Sequence, residues 1–301
     1  MAGVGFSVPQ LGPHVDREVL RTFAERAEVR GFTSLWVQDH LFYPVETAAS
    51  YAGQAGRTVP EQYRTLLSAT ESLSALAAWT RTITIGTSIL VAGYHRPVDI
   101  AKRLATIDVL SGGRLVAGFG IGWSPEEHDQ MDVDFRARGR RADELIEAIR
   151  ACWGEDPVEF HGEFFDIPRA LVSPKPVQRP RPKLLSGMFS EAGRRRTAKL
   201  FDIWNPTSPL DVVVPQLKEI NAWRAEGEEP VELYWRIFME PPGGATEARP
   251  LLGVDGIASQ VAKAEEAGVA EVILDANFWG EIASPQAWIE LPDRVADALG
   301  M

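Results

Sequence analysis

Two adjacent side chains, Asp39 and His40, are the strongest candidates for chemistry in this sequence. They end the apolar run at residues 34–38, and an aromatic stretch rather than a helix follows them. A carboxylate beside an imidazole can bind the polar edge of a ring and can give or take a proton near neutral pH. The alternative is an aspartate that caps the next turn and a histidine hydrogen-bonded in the core. We expect the functional role because the aromatic stretch suits the wall of a substrate pocket.

Glycine-rich backbone forms a second candidate site, suited to a phosphate or a flat ring. The run LVAGFGIGW, at residues 115–123, has glycines at alternate positions, Gly118, Gly120 and Gly122. A later run, KLLSGMFS, ends in Gly187 and Ser190 before a predicted helix. Glycine lets backbone N–H groups approach a ligand, and a helix N-terminus attracts an anion. Close packing of a barrel strand explains the first run equally well, because its spacing is not that of a dinucleotide-binding fingerprint.

Three further histidines carry weaker signals. His95 and Arg96 follow a strand-like run, where they stand at the mouth of a site or simply precede a helix that starts at Pro97. His128 and His161 lack the H-x-x-x-H or cysteine spacing of a metal site. No metal is therefore expected.

Composition argues against several classes of protein. The chain has 301 residues, of which 45% are hydrophobic, and a net charge of -11, so neither nucleic acid nor an anionic membrane is its expected main partner. Its single cysteine, Cys152, stands beside Trp153 in an apolar segment, which indicates a buried structural thiol and excludes an internal disulfide. The sequence has no basic leader and no apolar stretch of about 18 residues, which predicts a cytoplasmic protein that does not span a membrane.

Short β-branched or aromatic runs alternate with longer helical segments, the pattern of repeated βα units around a parallel sheet. Eight strands are predicted, at residues 3–8, 34–38, 83–91, 115–119, 183–186, 203–205, 233–239 and 271–275. Helices are predicted at residues 16–30, 98–110, 143–153, 210–226, 256–267 and 285–299. This number of units favours an α/β fold of the closed (β/α)8 TIM-barrel type over an open doubly wound sheet. It places the active site at the C-terminal ends of the strands.

One domain is predicted over residues 1–301, with three long excursions from the barrel. Such excursions usually shape the mouth of the site. Residues 41–65 carry aromatic side chains suited to a lid or a substrate wall, namely Phe42, Tyr43, Tyr51 and Tyr63. Residues 158–182 predict a hairpin around His161 and Gly162, followed by a proline-rich crossover. Residues 240–253, rich in proline and glycine, are expected to be mobile.

Six ordered motifs give the chain a resemblance to the luciferase-like monooxygenase superfamily, in particular to its smaller members that use the deazaflavin coenzyme F-420. They are GFTSLWVQDHL, TITIGTSILVAGYHRP, SGGRLVAGFGIGW, RARGRRADELIEAIRACW, FHGEFFDIP with PKPVQRPRPK, and SGMFSEAGRRRTAKLFDIWNP. The resemblance covers nearly the whole chain. It implies a (β/α)8 barrel with insertions, a homodimer, and a flavin or deazaflavin at the C-terminal mouth of the barrel without a metal.

The resemblance also implies roles for individual residues. Asp39 and His40 match the pair that lies against the cofactor ring, with His40 as the expected catalytic residue and Asp39 fixing His40 or the ring edge. Ser88 and Ile89 match the site of a non-prolyl cis peptide that backs the ring. The phosphate-bearing tail is expected on the backbone of Ile121, Gly122, Gly187, Met188 and Ser190, with Arg194 or Arg195 outside them. Met188 departs from the glycine that is usual at its position.

A second departure from the pattern of the family bears on the class of substrate. Trp123 stands where the glucose-6-phosphate dehydrogenase members place a catalytic carboxylate, which disfavours sugar-phosphate oxidation. Trp123, Tyr43 and Tyr51 are candidates for the substrate pocket, and barrel packing is an equal alternative for Trp36. The expected reaction is hydride transfer between reduced coenzyme F-420 and a small organic substrate, such as an enone, an imine or an alcohol–carbonyl pair. An FMN-dependent monooxygenase and a non-catalytic flavin-binding protein of the same fold are the alternatives.

Overall fold

A closed barrel of parallel strands organises the computed structural model, which describes residues 2–47, 50–51, 58–246 and 251–301. The described strands are β1 Gly3–Ser7, β2 Ser34–Val37, β3 Thr84–Thr87, β4 Leu90–Val91, β5 Leu115–Gly120, β6 Val158–His161, β7 Asp166–Ala170, β8 Lys183–Ser186, β9 Ile203–Trp204, β10 Glu232–Phe238 and β11 Glu271–Asp275. The barrel runs through β1, β2, β3, β5, β8, β9, β10 and β11, which pairs again with β1, while β4 pairs with the end of β5. The predicted (β/α)8 fold class is thus confirmed.

Helices surround the barrel, and four of the described ones begin at a residue whose side chain caps the first turn. They are α1 Arg17–Val29, α2 Ala69–Trp79, α3 Pro97–Ser111, α4 Pro125–Gln130, α5 Arg138–Trp153, α6 Glu191–Leu200, α7 Leu210–Ala222, α8 Val254–Glu266 and α9 Pro285–Leu299. Asp16 begins α1 by accepting the N–H of Val19, and Ser190 begins α6 by accepting the N–H of Gly193. None of the helices in the described ranges is long and apolar enough to cross a membrane.

The structure confirms the eight predicted barrel strands and divides one of them. The strand predicted at 83–91 is β3 followed by β4, separated by Ser88 and Ile89, whose peptide bond is cis as the resemblance implied. Helix α2 was not predicted, because the face it buries consists largely of small residues and shows little helical periodicity. Helix α5 begins at Arg138, five residues before the predicted start, since its arginine-rich first turn shows no apolar face.

The barrel interior is filled by a small cluster of buried side chains, Trp36, Val116, Leu185, Ile203 and Ile273. Trp36 is 1% exposed and donates its indole N–H to the hydroxyl of Ser34 over 2.7 Å. Of the two alternatives for Trp36, the structure therefore supports barrel packing. Cys152 is fully buried, and burial raises the pKa of its thiol, consistent with the predicted structural role.

The three excursions differ in how far the structure describes them. Strands β6 and β7 form the predicted antiparallel hairpin. The crossover after it is held by the buried carboxylate of Asp108, which accepts the backbone N–H groups of Val177 and Gln178. Within the first excursion residues 48–49 and 52–57 lie outside the described residues, as do residues 247–250 of the third, where mobility was expected.

Candidate active site

A cavity of about 790 Å³ opens at the C-terminal ends of the barrel strands, within the range of volumes usual for small-molecule and cofactor sites. The predicted site residues that line it are Asp39, His40, Ser88, Ile89, Ile121, Gly122, Trp123, Gly187, Met188 and Ser190. Tyr51 lines it as well. Tyr43 lies elsewhere, with its hydroxyl donating to Glu61 over 3.1 Å and its ring under the guanidinium of Arg64.

His40 is held by a carboxylate that the sequence analysis did not assign. Its Nδ1 lies 2.9 Å from Oε2 of Glu127, which also accepts the hydroxyl of Tyr94 over 2.6 Å. The other oxygen of Glu127 accepts the backbone N–H of Leu41 over 2.5 Å. Glu127 is 1% exposed; burial alone would raise its pKa, but the hydrogen bonds from His40, Tyr94 and Leu41 outweigh burial and lower it. Glu127 is therefore a buried anion at neutral pH.

Asp39 makes a separate pair with His95. Its Oδ2 lies 3.1 Å from Nε2 of His95 and accepts the backbone N–H of Val91 over 3.2 Å. The side chains of Asp39 and His95 are 11% and 18% exposed. His95 thus precedes helix α3, as its sequence position indicated, and in addition contacts Asp39. Neighbouring Arg96 is exposed.

An aromatic wall stands over His40. The ring centroids of Tyr63 and Trp123 lie 4.7 and 5.5 Å from that of the imidazole. Tyr51 contacts both, with its hydroxyl 3.0 Å from that of Tyr63 and its ring 5.3 Å from Trp123. Tyr63 donates to Gln38, and burial holds its pKa well above the usual value, so its phenol stays neutral. The wall is therefore apolar and uncharged, apart from phenol and indole groups that can hydrogen-bond.

Arg236 lies at the floor of the cavity and was not predicted. Burial alone would lower its pKa, but Asp275, which accepts its Nε–H over 3.0 Å, raises it, so the pair is a buried ion pair. Arg236 also donates to the backbone carbonyl of Ser88 over 2.8 Å, and the Ser88 hydroxyl donates to Asn205. A charged residue among the apolar side chains that follow Glu232 in the strand ELYWRIF was the available signal.

Close packing and backbone conformation explain the glycines that line the cavity, Gly120, Gly122 and Gly187. A Cβ on Gly120 or Gly187 would lie 2.7 Å from a side-chain carbon of Ile89. Gly122 has a φ of +72°, which L side chains rarely adopt. The side chain of Met188 is buried, and its backbone carbonyl accepts the indole N–H of Trp204. The packing alternative for these positions therefore holds, and the glycines alone do not establish a phosphate site.

The fit of the cavity to a phosphate-bearing cofactor depends on one arginine, Arg138. Arg138 lines the cavity, and its Nε is buried with no hydrogen-bond partner among the described residues. The predicted outer contacts are instead occupied, because Arg194 pairs with Glu219 and Arg195 with Glu191. No cluster of histidine, cysteine, aspartate or glutamate that could hold a metal ion occurs in the part of the chain that the structure describes. The cavity is therefore compatible with an anionic group placed at Arg138.

Comparison with known proteins places this geometry in context. The model of a family described as luciferase-like monooxygenase matches residues 6–249. The Rv0953c protein of Mycobacterium tuberculosis is 29% identical over 284 residues, covering 94% of this chain and 90% of that protein. A protein named FMNH2-dependent dimethylsulfone monooxygenase, from Pseudomonas putida, is 29% identical over 84% of this chain and 65% of its own length. The solved structure of an F420-dependent secondary alcohol dehydrogenase with an F420-acetone adduct superposes with a TM-score of 0.73 at 16% identity, covering 99% of both chains.

Proposed function

Because the chain belongs to the luciferase-like monooxygenase family, we propose that it is an oxidoreductase that transfers a hydride between coenzyme F-420 and a small, uncharged organic substrate. The observation that carries the proposal is the environment of His40, whose Nδ1 is fixed by Glu127 at the mouth of the cavity. A homodimer and a cytoplasmic location belong to the same proposal. The membership itself supports an oxidoreductase or monooxygenase that acts on a small molecule.

His40 is suited to proton transfer because only one of its ring nitrogens is occupied. The contact with Glu127 makes Nδ1 the donor, and Nε2 has no hydrogen-bond partner among the described residues. When bound, reduced F-420 supplies a hydride to an electrophilic carbon. In the direction of carbonyl reduction, Nε2 of the imidazolium gives its proton to the carbonyl oxygen and an alcohol forms. In the reverse direction Nε2 accepts the hydroxyl proton.

Glu127 and the aromatic wall support that step in different ways. A buried carboxylate on Nδ1 fixes the tautomer and keeps the ring from turning, as the carboxylate of a catalytic triad does. Tyr63 and Trp123 flank the ring and offer an uncharged surface to the substrate. This surface favours ketones, enones, imines or alcohols over charged sugars.

A second candidate, an FMN-dependent monooxygenase, is favoured by one specific observation. The Pseudomonas putida relative of this chain carries a name that specifies reduced FMN. The same histidine and the same cavity serve either cofactor, because the two share a tricyclic ring with a phosphate-bearing tail. Their reactions differ, since reduced FMN reacts readily with oxygen and a deazaflavin does not.

A fluorescence titration of the purified protein against F-420 and FMN in parallel tests the proposal. Micromolar or tighter binding of F-420 with little binding of FMN supports it. A substrate screen then follows the absorbance of oxidised F-420 under nitrogen, with ketones, enones and imines. Preference for FMN, with oxygen consumed when reduced FMN and substrate are both present, would establish the monooxygenase instead. Binding of neither would favour a protein without turnover.

A further inference from the structure

Arg138 is a half-buried cation with no counterion among the residues that the structure describes. No carboxylate among the described residues lies within ion-pair distance of it, and burial alone lowers its pKa. Its Nη1 donates to the carbonyl of Phe135 over 2.6 Å, whereas its Nε is buried without a partner. Charged groups removed from water are usually paired, because the desolvation cost is otherwise uncompensated. An unpaired guanidinium that lines a cavity therefore indicates a missing anion.

Two aromatic rings in contact with each other hold the guanidinium of Arg138 in place. Its Cζ lies 3.7 Å from the ring centroid of Phe135, which in turn contacts the imidazole of His128 edge-on at 5.1 Å. His128 is fully buried, with its ring nitrogens 2.8 and 3.1 Å from the carbonyls of Ser124 and Ile121. Arg138 is thus fixed relative to the turn after β5. A cation held in this way loses less side-chain entropy when it binds a ligand.

The three arginines of helix α6 are already paired. Arg194 and Arg195 contact Glu219 and Glu191, and Arg196 contacts Asp143. At the floor of the cavity, Arg236 is paired with Asp275. Of the two described arginines that line the cavity, Arg138 is therefore the one with a charge available to a ligand.

We propose that Arg138 binds the phosphate of the cofactor tail, with the hydroxyl of Ser190 as a second donor from the facing end of helix α6. Both residues line the same cavity. The Ser190 oxygen accepts the N–H of Gly193, which leaves its own proton free to donate. This inference rests on a flavin-type cofactor but not on which one, because FMN carries a phosphate monoester and F-420 a phosphodiester at the corresponding place. A guanidinium can donate two hydrogen bonds to either.

Four ligands test the proposal by fluorescence titration: FMN and riboflavin, and F-420 and its tail-free chromophore 8-hydroxy-5-deazariboflavin. The ratio of the two dissociation constants within a pair measures what the phosphate contributes. We expect Arg138→Gln to reduce this contribution about 10- to 100-fold for the pair that binds, with little effect on the tail-free ligand. For Arg138→Lys we expect a phosphate contribution between that of the wild type and that of Arg138→Gln. Arg140→Gln removes the same charge from an exposed, already paired position of the same helix and should leave the ratio unchanged.

An equal loss for tailed and tail-free ligands would show that Arg138 only supports the fold, and an unchanged ratio would show that it does not contact the phosphate. Should Arg138→Gln fail to fold, the salt dependence of the wild-type ratio decides, since a charge contact weakens with added salt and a neutral one does not. If neither chromophore binds, the proposed function fails. The anion site is then judged with inorganic phosphate: stabilisation of the wild type beyond that by chloride of equal ionic strength, absent in Arg138→Gln, supports it, and no difference overturns it.

Discussion

The two ends of the cavity satisfy their polar groups in different ways. At one end His40, Glu127 and Tyr94 bond to one another, and Asp39 is bonded to His95. At the other end the guanidinium of Arg138 has no counterion within the described part of the chain. A network that is complete within the chain fixes its side chains before any ligand arrives, which suits chemistry. An unpaired cation lowers its free energy only when an anion is bound, which suits recognition.

The largest effect is expected from removing the ring that transfers the proton. His40→Ala should lower kcat by about 10²-fold or more and leave the dissociation constant of the cofactor almost unchanged, because the ring acts in the transition state. Steady-state kinetics together with the fluorescence titration measure both quantities. His161→Ala, on the exposed hairpin, is the control and should change neither. A parallel loss of turnover and affinity would make His40 a binding residue, like Arg138.

A smaller effect is expected from the carboxylate behind that ring. Glu127→Gln should lower kcat about 10- to 100-fold, because an amide cannot accept hydrogen bonds at both of its polar atoms and so holds His40 less firmly. Binding of the cofactor should change much less, a separation that a general loss of structure would not produce. Asp129→Asn is the matched control, since that carboxylate is exposed on the same short helix. An unchanged kcat in Glu127→Gln would separate the carboxylate from the chemistry.

The smallest effect concerns a glycine that lines the cavity, Gly120. Gly120→Ala should lower the free energy of unfolding by about 1–3 kcal/mol, because the new methyl group would meet Cδ1 of Ile89. Ile89→Val removes that carbon, so the same substitution should cost less in the Ile89→Val background, as a double-mutant cycle of chemical denaturation would show. Full stability of Gly120→Ala, with weakened binding of FMN or F-420, would instead make Gly120 a ligand contact.

The barrel could be predicted from sequence because its signals are local. Alternation of apolar strands with helical segments identified all eight barrel strands, and the position of Asp39 and His40 at a strand end placed them at the cavity. Helix α2 was missed because small residues form its buried face. The confirmed strands and the missed helix both depend on sequence patterns that extend over only a few residues.

The partners of the predicted residues could not be found in this way. Glu127 is 87 positions from His40, and its local pattern, Ser124-Pro-Glu-Glu127, is that of a capping box. Only half of that box forms: Ser124 accepts the N–H of Glu127, while the Glu127 side chain contacts His40 instead. Arg138 belongs to the arginine-rich run at residues 136–141, where composition alone does not show which arginine lines the cavity.

The short helix α4 also anchors the start of the first excursion. Glu127 accepts the backbone N–H groups of Leu41 and Phe42, and Glu126 accepts the hydroxyl of Thr47. Residues 41–47 are therefore attached to the same helix that contacts His40. Ser50 and Tyr51 line the cavity further along the excursion, and varying them leaves these contacts of Glu126 and Glu127 in place. We therefore expect that a library that varies Ser50 and Tyr51 and keeps residues 41–47 will alter substrate specificity with the fewest substitutions.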